Sequence, residues 1–565
     1  MAFCDDGDSY VFELPESISL LKELWYREDV AKVAHNLKFE YHHSLQLGII
    51  PSGPLHDTMI LHQLLFNLDR HGLDLAVKQF CTMEDADRWD KLDKAVDKAR
   101  SIYNKDYSKI PKSVLHPYQH ADVERTALLF GALYPQVKRD EYLFSDYLNE
   151  IELIKATAHM ERTGIMVDQK EAGKMLTWMA NEKEDAQVSI RKIVGRPIKV
   201  SSPKQLTHLL YDEYKLPIQY KFDKEKKRNK ITTDKEAIEN LAILSKHPVL
   251  DAILKLRSYE KGIAMVSSYL EKMDEKGILH PNINTNGAAT GRETSSDPNM
   301  QNVSKDVSFR SRYPIPARRC FRVRPGSIIL SFDYKAIEMV LGVMGSGSER
   351  LTKMVINDFD FHAAMAESFY GDRFRNADKD TKKLLRNKAK NGARFPMFYG
   401  AGPATVSKGV GLPLEETLVG IERDKEEFPE LYAFMDECTT FAKEHGWIKT
   451  FFGRKLWTDT RKPYIATDYK IQGSAAGVLK RAQVRLDRWL MEEFNDKIRI
   501  LLTVHDQFLI EYPRDLLWDR EAIVKNIIFL MTDMPEITIP LKVDVEMTTT
   551  TWDRAKEYQY EETKK

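Results

Sequence analysis

A mixed α/β (α+β) fold spread over several domains is predicted, from three observations. Two apolar runs of strand character, Ile328 to Phe332 and Ile498 to Val504, each lead into an aspartate, Asp333 and Asp506. Long segments, 169–194 and 248–274, carry apolar residues at helical spacing. The chain has 565 residues, 42% of them hydrophobic and 30% charged. That is an ordinary globular composition, and at roughly 150 residues per domain it predicts three or four domains.

Composition also excludes classes. Lys+Arg and Asp+Glu both number 85, so the formal charge is zero and a wholly basic nucleic-acid binder is not expected, although a locally charged surface is. No run approaches the roughly 18 apolar residues of a membrane span. The first residues have neither the basic nor the apolar region of a secretory signal. Cys4, Cys81, Cys320 and Cys438 lie far apart, which argues against a disulfide framework or a zinc site and for a reducing cytoplasm.

In chain order, Tyr10 to Leu14 reads as a strand, Asp57 opens an apolar helix over Met59 to Leu68, and Tyr118 to Leu133 reads as helix. The charged stretch 84–113 between them reads as a solvated insertion. A small α/β domain results. A helix from Leu148 to Met160 ends near Gly164, and the two long helices follow. Six of the ten residues from Lys221 to Lys230 are basic, which fits either a solvated loop or a tip that contacts phosphates. Beyond residue 280 the chain turns rich in Gly, Asn, Ser and Arg before the two aspartate-bearing strands. The second of these continues through His505-Asp506-Gln507 into Phe508 to Tyr512, a β-hairpin.

An aspartate at the mouth of each strand suits a two-metal site. Mg²⁺ prefers carboxylate oxygens and keeps coordination positions open for phosphate, and paired ions serve phosphoryl transfer. An aspartate after a strand is also an ordinary turn residue. The segment between the strands adds weight: Lys379 to Arg394 holds seven Lys/Arg and runs into Phe395-Pro396-Met397-Phe398-Tyr399-Gly400. Cations and aromatics at helical spacing can hold a triphosphate and stack on a base.

Taken together, Asp333-Tyr334-Lys335-Ala336-Ile337-Glu338, Arg386 to Gly400 and Val504-His505-Asp506-Gln507 resemble the A, B and C motifs of the family A DNA polymerases. Further resemblances follow in the family's order: Thr290-Gly291-Arg292, Asp297-Pro298-Asn299-Met300-Gln301-Asn302, Asp360-Phe361-His362, Phe452-Gly453-Arg454 and Gln472-Gly473-Ser474-Ala475-Ala476. The resemblance implies a right-hand polymerase that adds dNTPs to a primer on a DNA template. Its implied parts are linker helix and thumb 146–285, palm 286–350 and 435–565, and fingers 351–434. Asp333 and Asp506, with the Tyr334 carbonyl, would hold two Mg²⁺ ions. Arg386, Lys390 and His362 would meet the triphosphate, and Phe395 and Tyr399 the nucleotide and template base. Glu338 would exclude a 2′-hydroxyl. Arg292, Gln301, Arg454, Gln472 and His505 would contact DNA.

Several positions depart from the family's pattern. Lys335-Ala336 stands for Ser-Gln, Val340 for an Arg, and Gln507 for a Glu. Lys390 and Phe395 are five residues apart where the family has four, which in a regular helix turns Lys390 about 100° away. Either the helix carries a π-type bulge, or Asn391 faces the nucleotide and Arg394 or Lys390 reaches the phosphates from the side.

Residues 1–145 resemble the family's 3′–5′ exonuclease domain, of ribonuclease H-like fold. Glu40, Asp57, Tyr118 and Asp122 match its later motifs, and its first motif is expected upstream of Met1. A structural remnant without proofreading is expected, or one completed by a separately encoded segment. No 5′-nuclease domain is expected, which with the divergent motifs suggests a phage replication enzyme acting in a host cytoplasm. Primer-template DNA and dNTPs are the implied partners, with a processivity factor possible. The competing readings are a single-subunit RNA polymerase and a non-catalytic DNA-binding relic.

Overall fold

The computed structural model describes residues 2–5, 8–11, 17–223, 228–303, 312–516 and 519–560. Its centre is a five-stranded antiparallel sheet in the order Arg499–Val504, Gln507–Pro513, Ser327–Tyr334, Val543–Thr548, Lys556–Glu557. The first three strands in that order are buried along most of their length, which is why they read as continuous apolar runs and not as alternating ones. Leu330, Phe332, Phe508 and Ile510 enter a core closed from the other side by the helix Ala466–Phe494.

The long helices form where helical spacing places them, Gln169–Val194 and Pro248–Lys272, and they pack on each other through Met175, Met179, Tyr259 and Val266. The helix Glu141–Thr163 ends at Gly164, whose φ of +58° and close approach to the Leu279 carbonyl leave no room for a side chain. The basic run forms an exposed antiparallel hairpin, Tyr220–Asp223 with Arg228–Ile231; residues 224–227 lie outside the described residues.

The N-terminal region differs from expectation in two places. The first strands are Ala2–Asp5 and Asp8–Val11; of the strand expected over Tyr10 to Leu14, residues 12–14 lie outside the described residues. The stretch 84–113 is not a loose insertion. Most of it is the helix Met83–Ile102, capped by Thr82, whose Trp89, Val96 and Ala99 are buried against the helix Lys112–Lys138. Apolar residues at positions 89, 96 and 99 give a single narrow stripe that the surrounding charges hide in a sequence reading.

This N-terminal unit joins the rest through a buried charge cluster. Glu150 accepts from Lys480 at 2.5 Å, from Arg454 at 3.3 Å and from the Asn286 amide at 3.2 Å. Arg454 also donates to Gln63 at 2.5 Å, and Arg481 to Asp146 at 3.1 Å. Removing one member of a buried ion cluster leaves an uncompensated charge. Glu150→Ala is expected to destabilise the protein by about 3–5 kcal/mol, read as a thermal midpoint several degrees lower. An unchanged midpoint would contradict the cluster's structural role.

Candidate active site

Strand pairing brings the two aspartates together. In the antiparallel register Asp333 lies opposite Gln507, the residue after Asp506, and the Tyr334 amide donates to the Asp506 carbonyl at 3.1 Å. The turn between the hairpin strands places His505 at φ +55°. Gln301 braces it: its amide nitrogen donates to the Thr503 carbonyl, and its oxygen accepts from the His505 amide at 2.8 Å. Both polar groups of Gln301 are thus engaged in shaping the turn, a role that sequence reading does not assign. Asp506 is half-buried, and burial raises its carboxyl pKa while Arg292 and Lys390 oppose the rise.

Behind the aspartates, Gln507 donates to the Ser331 hydroxyl at 2.6 Å. Arg318 lies on the same side, buried over the Trp552 ring at 4.2 Å, with one guanidinium nitrogen unpartnered among the described residues. Burial pulls its pKa down to about 10, against the pull of Glu546 and Asp333. Replacement of a carboxylate by Gln507 leaves Asp333 among the negative groups acting on this arginine.

Glu338 links the two flanks. It accepts from Arg292 at 2.5 Å and from the Tyr399 hydroxyl at 2.9 Å, and it is buried. Tyr399 stacks on Phe395 with ring centres 6.3 Å apart and planes 10° from parallel.

The finger helix settles the spacing question. Lys379–Ala389 is α-helical, Lys390–Arg394 forms a π-turn, and Phe395–Phe398 resumes the α-helix. The π-turn absorbs the extra residue, so Lys390 stays on the face of Phe395, its ammonium 5.3 Å from the ring centre. Burial lowers the Lys390 pKa, as does Arg386, while Asp333, Glu338 and Asp506 act against them. The alternative through Arg394 is excluded: Arg394 is buried in a two-point ion pair with Asp424 at 2.7 and 2.8 Å.

Arg386 donates to Asp360 at 2.6 Å, and Asp360 caps the helix Phe361–Tyr370. His362 is buried beside Phe395, and neither ring nitrogen has a partner among the described residues. Burial first, then Lys390, Arg386 and Arg394, push its pKa down to about 3. A neutral imidazole, a lysine and an arginine thus converge without a carboxylate of their own beyond Asp360.

Not every expected residue faces this cleft. Arg454 is a correction: it is buried in the Glu150 cluster described above and cannot reach DNA in this conformation. Gln472 lies half-buried on the helix Ala466–Phe494 beside Asp468, and His505 is exposed at its turn.

The N-terminal acids are largely engaged with other groups. Asp57 is an internal cap, accepting from the amides of Asn36, Leu37 and Met59. Asp122 pairs with Arg125 at 3.2 Å, and Arg125 is itself buried against Trp89 and paired with Asp93. Tyr118 also hydrogen-bonds Asp122, whose pKa burial raises to about 6. Glu40 is raised to about 7 by burial and by Asp57. Among the described residues no group of three or more His, Cys, Asp or Glu is placed to hold a metal.

A five-stranded antiparallel sheet with two aspartates at one rim, faced by a cationic helix, defines the class of template-copying polymerase folds. The family model for DNA polymerase family A matches residues 169–554, and that for 3′–5′ exonuclease matches residues 1–138. The chain belongs to DNA polymerase family A. It is 27% identical over 548 residues to DNA polymerase I of Chloroflexus aurantiacus, covering 94% of this chain and 56% of that one. It is 29% identical over 442 residues to the thermostable DNA polymerase I of Thermus aquaticus, covering 75% and 50%. The chain therefore spans about half the length of these curated relatives. They are bacterial, and the phage expectation gains no support from them. Among solved structures, the POL domain of Pol1 from M. smegmatis in complex with DNA primer-template and dNTP matches with a TM-score of 0.79 at 23% identity, over 98% of this chain and 92% of that one. The fold is the right-hand polymerase fold preceded by an exonuclease-type domain. Among the described residues no helix is long and apolar enough to cross a membrane.

His362 offers a pH test of the expected triphosphate contact. Its imidazole is expected to stay neutral across pH 5–8 in the free protein, because its pKa lies near 3 against an ordinary 6.5. A bound triphosphate offsets Lys390 and Arg386 and raises that pKa. Binding then takes up a proton, and affinity for dNTP strengthens as pH falls through the raised value towards the free-state value near 3. ¹⁵N-histidine NMR with and without dNTP reads both states. A charged imidazole in the free protein at pH 6 would contradict the assignment.

Proposed function

We propose that this chain carries out template-directed DNA synthesis, adding dNTPs to a primer 3′-hydroxyl with release of pyrophosphate. The observation that carries the reading is the convergence of Asp333 and Asp506, held by strand pairing, with Lys390, Arg386 and His362 facing them across the cleft.

The donor set fits Mg²⁺. Two carboxylates and the Tyr334 carbonyl are all hard oxygen donors. Since they are too few to fill a coordination sphere, positions are left for phosphate oxygens and water, as Mg²⁺ requires. Two such ions, when bound, supply the acidity that activates the primer hydroxyl and the charge that steadies the departing pyrophosphate.

The remaining work falls to the chain's own side chains. Arg386 exchanges Asp360 for phosphate oxygens, and Lys390 adds a point charge from the π-turn. His362 accepts a proton as the triphosphate arrives and then donates a hydrogen bond. Phe395 and Tyr399 form the wall against which the base pair closes. Glu338, tied to Tyr399 and Arg292, fills the space beneath the sugar and favours deoxynucleotides, which speaks against the RNA-polymerase reading. Arg292 and His505 read the minor-groove acceptors of the primer terminus, common to all base pairs. Linker helix and thumb 146–285, palm 286–350 and 435–565, and fingers 351–434 are the corresponding parts, in a cytoplasmic setting; a processivity factor is compatible with this reading.

The test is primer extension. Asp506→Ala is expected to abolish dNTP incorporation while leaving primer-template binding within about threefold, because it removes a metal ligand and little binding surface. Retained extension would refute the metal assignment.

We further propose that the N-terminal domain does not proofread. Arg125 already neutralises Asp122, and Asp57 is consumed by backbone amides, so neither is free to bind a metal. A 3′-mismatched primer incubated with Mg²⁺ and no dNTP is expected to survive intact. Degradation that Asp122→Ala abolishes would overturn this.

A further inference from the structure

A second surface lies on the two-stranded ribbon Trp447–Lys449 and Lys455–Trp457, which follows the helix Pro429–His445. Its register pairs Trp447 with Trp457, Ile448 with Leu456, and Lys449 with Lys455. Alternation sends Ile448 and Leu456 into the core and leaves two tryptophans and two lysines on the other face. Like charges directly opposite on a ribbon are destabilising, and neither lysine forms an ion pair among the described residues. Asp140, the acid that acts on Lys455, is engaged in capping the helix Glu141–Thr163.

The lysines rest on rings instead. The Lys455 ammonium lies 3.9 Å from the Trp457 ring centre and 4.7 Å from that of Trp447, and Lys449 lies 5.9 Å from Tyr142. Trp457 is 38% and Tyr142 60% exposed. Unpaired cations interleaved with exposed aromatic rings are what an unpaired nucleic-acid strand requires: phosphates for the ammonium groups and base faces for the rings.

Position selects the strand. The underside of the ribbon packs through Leu456 against Gly473, next to Gln472. The turn that follows brings Tyr464 against Gly400, so closely that a Cβ at Gly400 would collide with its ring. Gly400 directly follows Tyr399. The ribbon is thus seated on the helix that carries Gln472, and the turn that follows it touches the residue after Tyr399, beside which a templating base would stand in the polymerase reading.

We propose that this ribbon is a binding platform for the single-stranded template ahead of the active site, with Lys449 and Lys455 contacting phosphates and Trp457 and Tyr142 stacking on bases. The proposal rests on the polymerase reading above.

The test compares primer-templates with one duplex and a 5′ template overhang of either one nucleotide or about ten, by fluorescence anisotropy on the full chain across a salt series. The longer overhang is expected to bind more tightly to the wild type. The double variant Lys449→Glu, Lys455→Glu is expected to lose that gain and to flatten the salt slope on the long overhang by about 1.4, at about 0.7 per phosphate released. Binding of the short-overhang substrate and the rate of single-nucleotide addition stay unchanged. Lys449→Ala, at an unchanged thermal midpoint, is expected to lose part of the gain. An overhang that adds no affinity in the wild type, or a variant weakened equally on both substrates, would overturn the platform. Absence of extension by the wild type would instead overturn the polymerase reading.

Discussion

The pairing of Ser327–Tyr334 with Gln507–Pro513 is the constraint on which the rest of the site depends. Side chains alternate along a strand, so a slip of one residue would turn Asp333 to the opposite face. The register is held by burial: Ile328, Leu330 and Phe332 on one face and Ile329 and Ser331 on the other are all sealed from solvent. The Gln301 amide fixes the adjoining turn, and so sets where Asp506 and His505 point. Two carboxylates held this way need little further ordering when cations and substrate arrive, which is how preorganised polar groups stabilise developing charge.

Charge is distributed around that rim in two states of readiness. Arg292 is paired with Glu338, and Arg386 with Asp360. Among the described residues Lys390 and His362 have no such acidic partner, and burial and neighbouring cations lower the pKa of both. The π-turn is the backbone device that makes this arrangement possible, because it keeps Lys390 on the face of Phe395 and sends Arg394 inward to Asp424, where the ion pair anchors the helix. The N-terminal domain contributes from a distance. Its Gln63 holds Arg454 in the cluster around Glu150, on the following helix Glu141–Thr163, and that cluster steadies the loop at Asn286 that leads to Arg292. A domain whose acids are consumed by Arg125 and by backbone amides can still serve as a foundation.

What was legible in the sequence was whatever depends on local pattern. Both long helices, the aspartate-bearing strands and the hairpin at His505-Asp506 follow from periodicity and from turn residues. The five-residue interval from Lys390 to Phe395 exposed the π-turn, because helix geometry allows few ways to absorb one extra residue. What depends on partners far along the chain was not legible. Arg454 follows Gly453 in a surface-like Gly-Arg pair, yet its partners Glu150 and Gln63 lie some three hundred residues upstream or more. Asp57 reads as an acid in a catalytic motif, and only the fold shows three backbone amides directed at it. The helix Met83–Ile102 was missed because its buried stripe is three residues in a charged background.

The account turns on Asp333 and Asp506 sharing the metal ions of nucleotide addition. The most direct measurement is anomalous X-ray scattering from Mn²⁺ in crystals of the protein with primer-template and a non-hydrolysable dNTP. Two peaks about 3.5–4 Å apart, bridged by the Asp333 and Asp506 carboxylates, are the predicted result. Ordered primer-template and nucleotide with no peak between those carboxylates would contradict it.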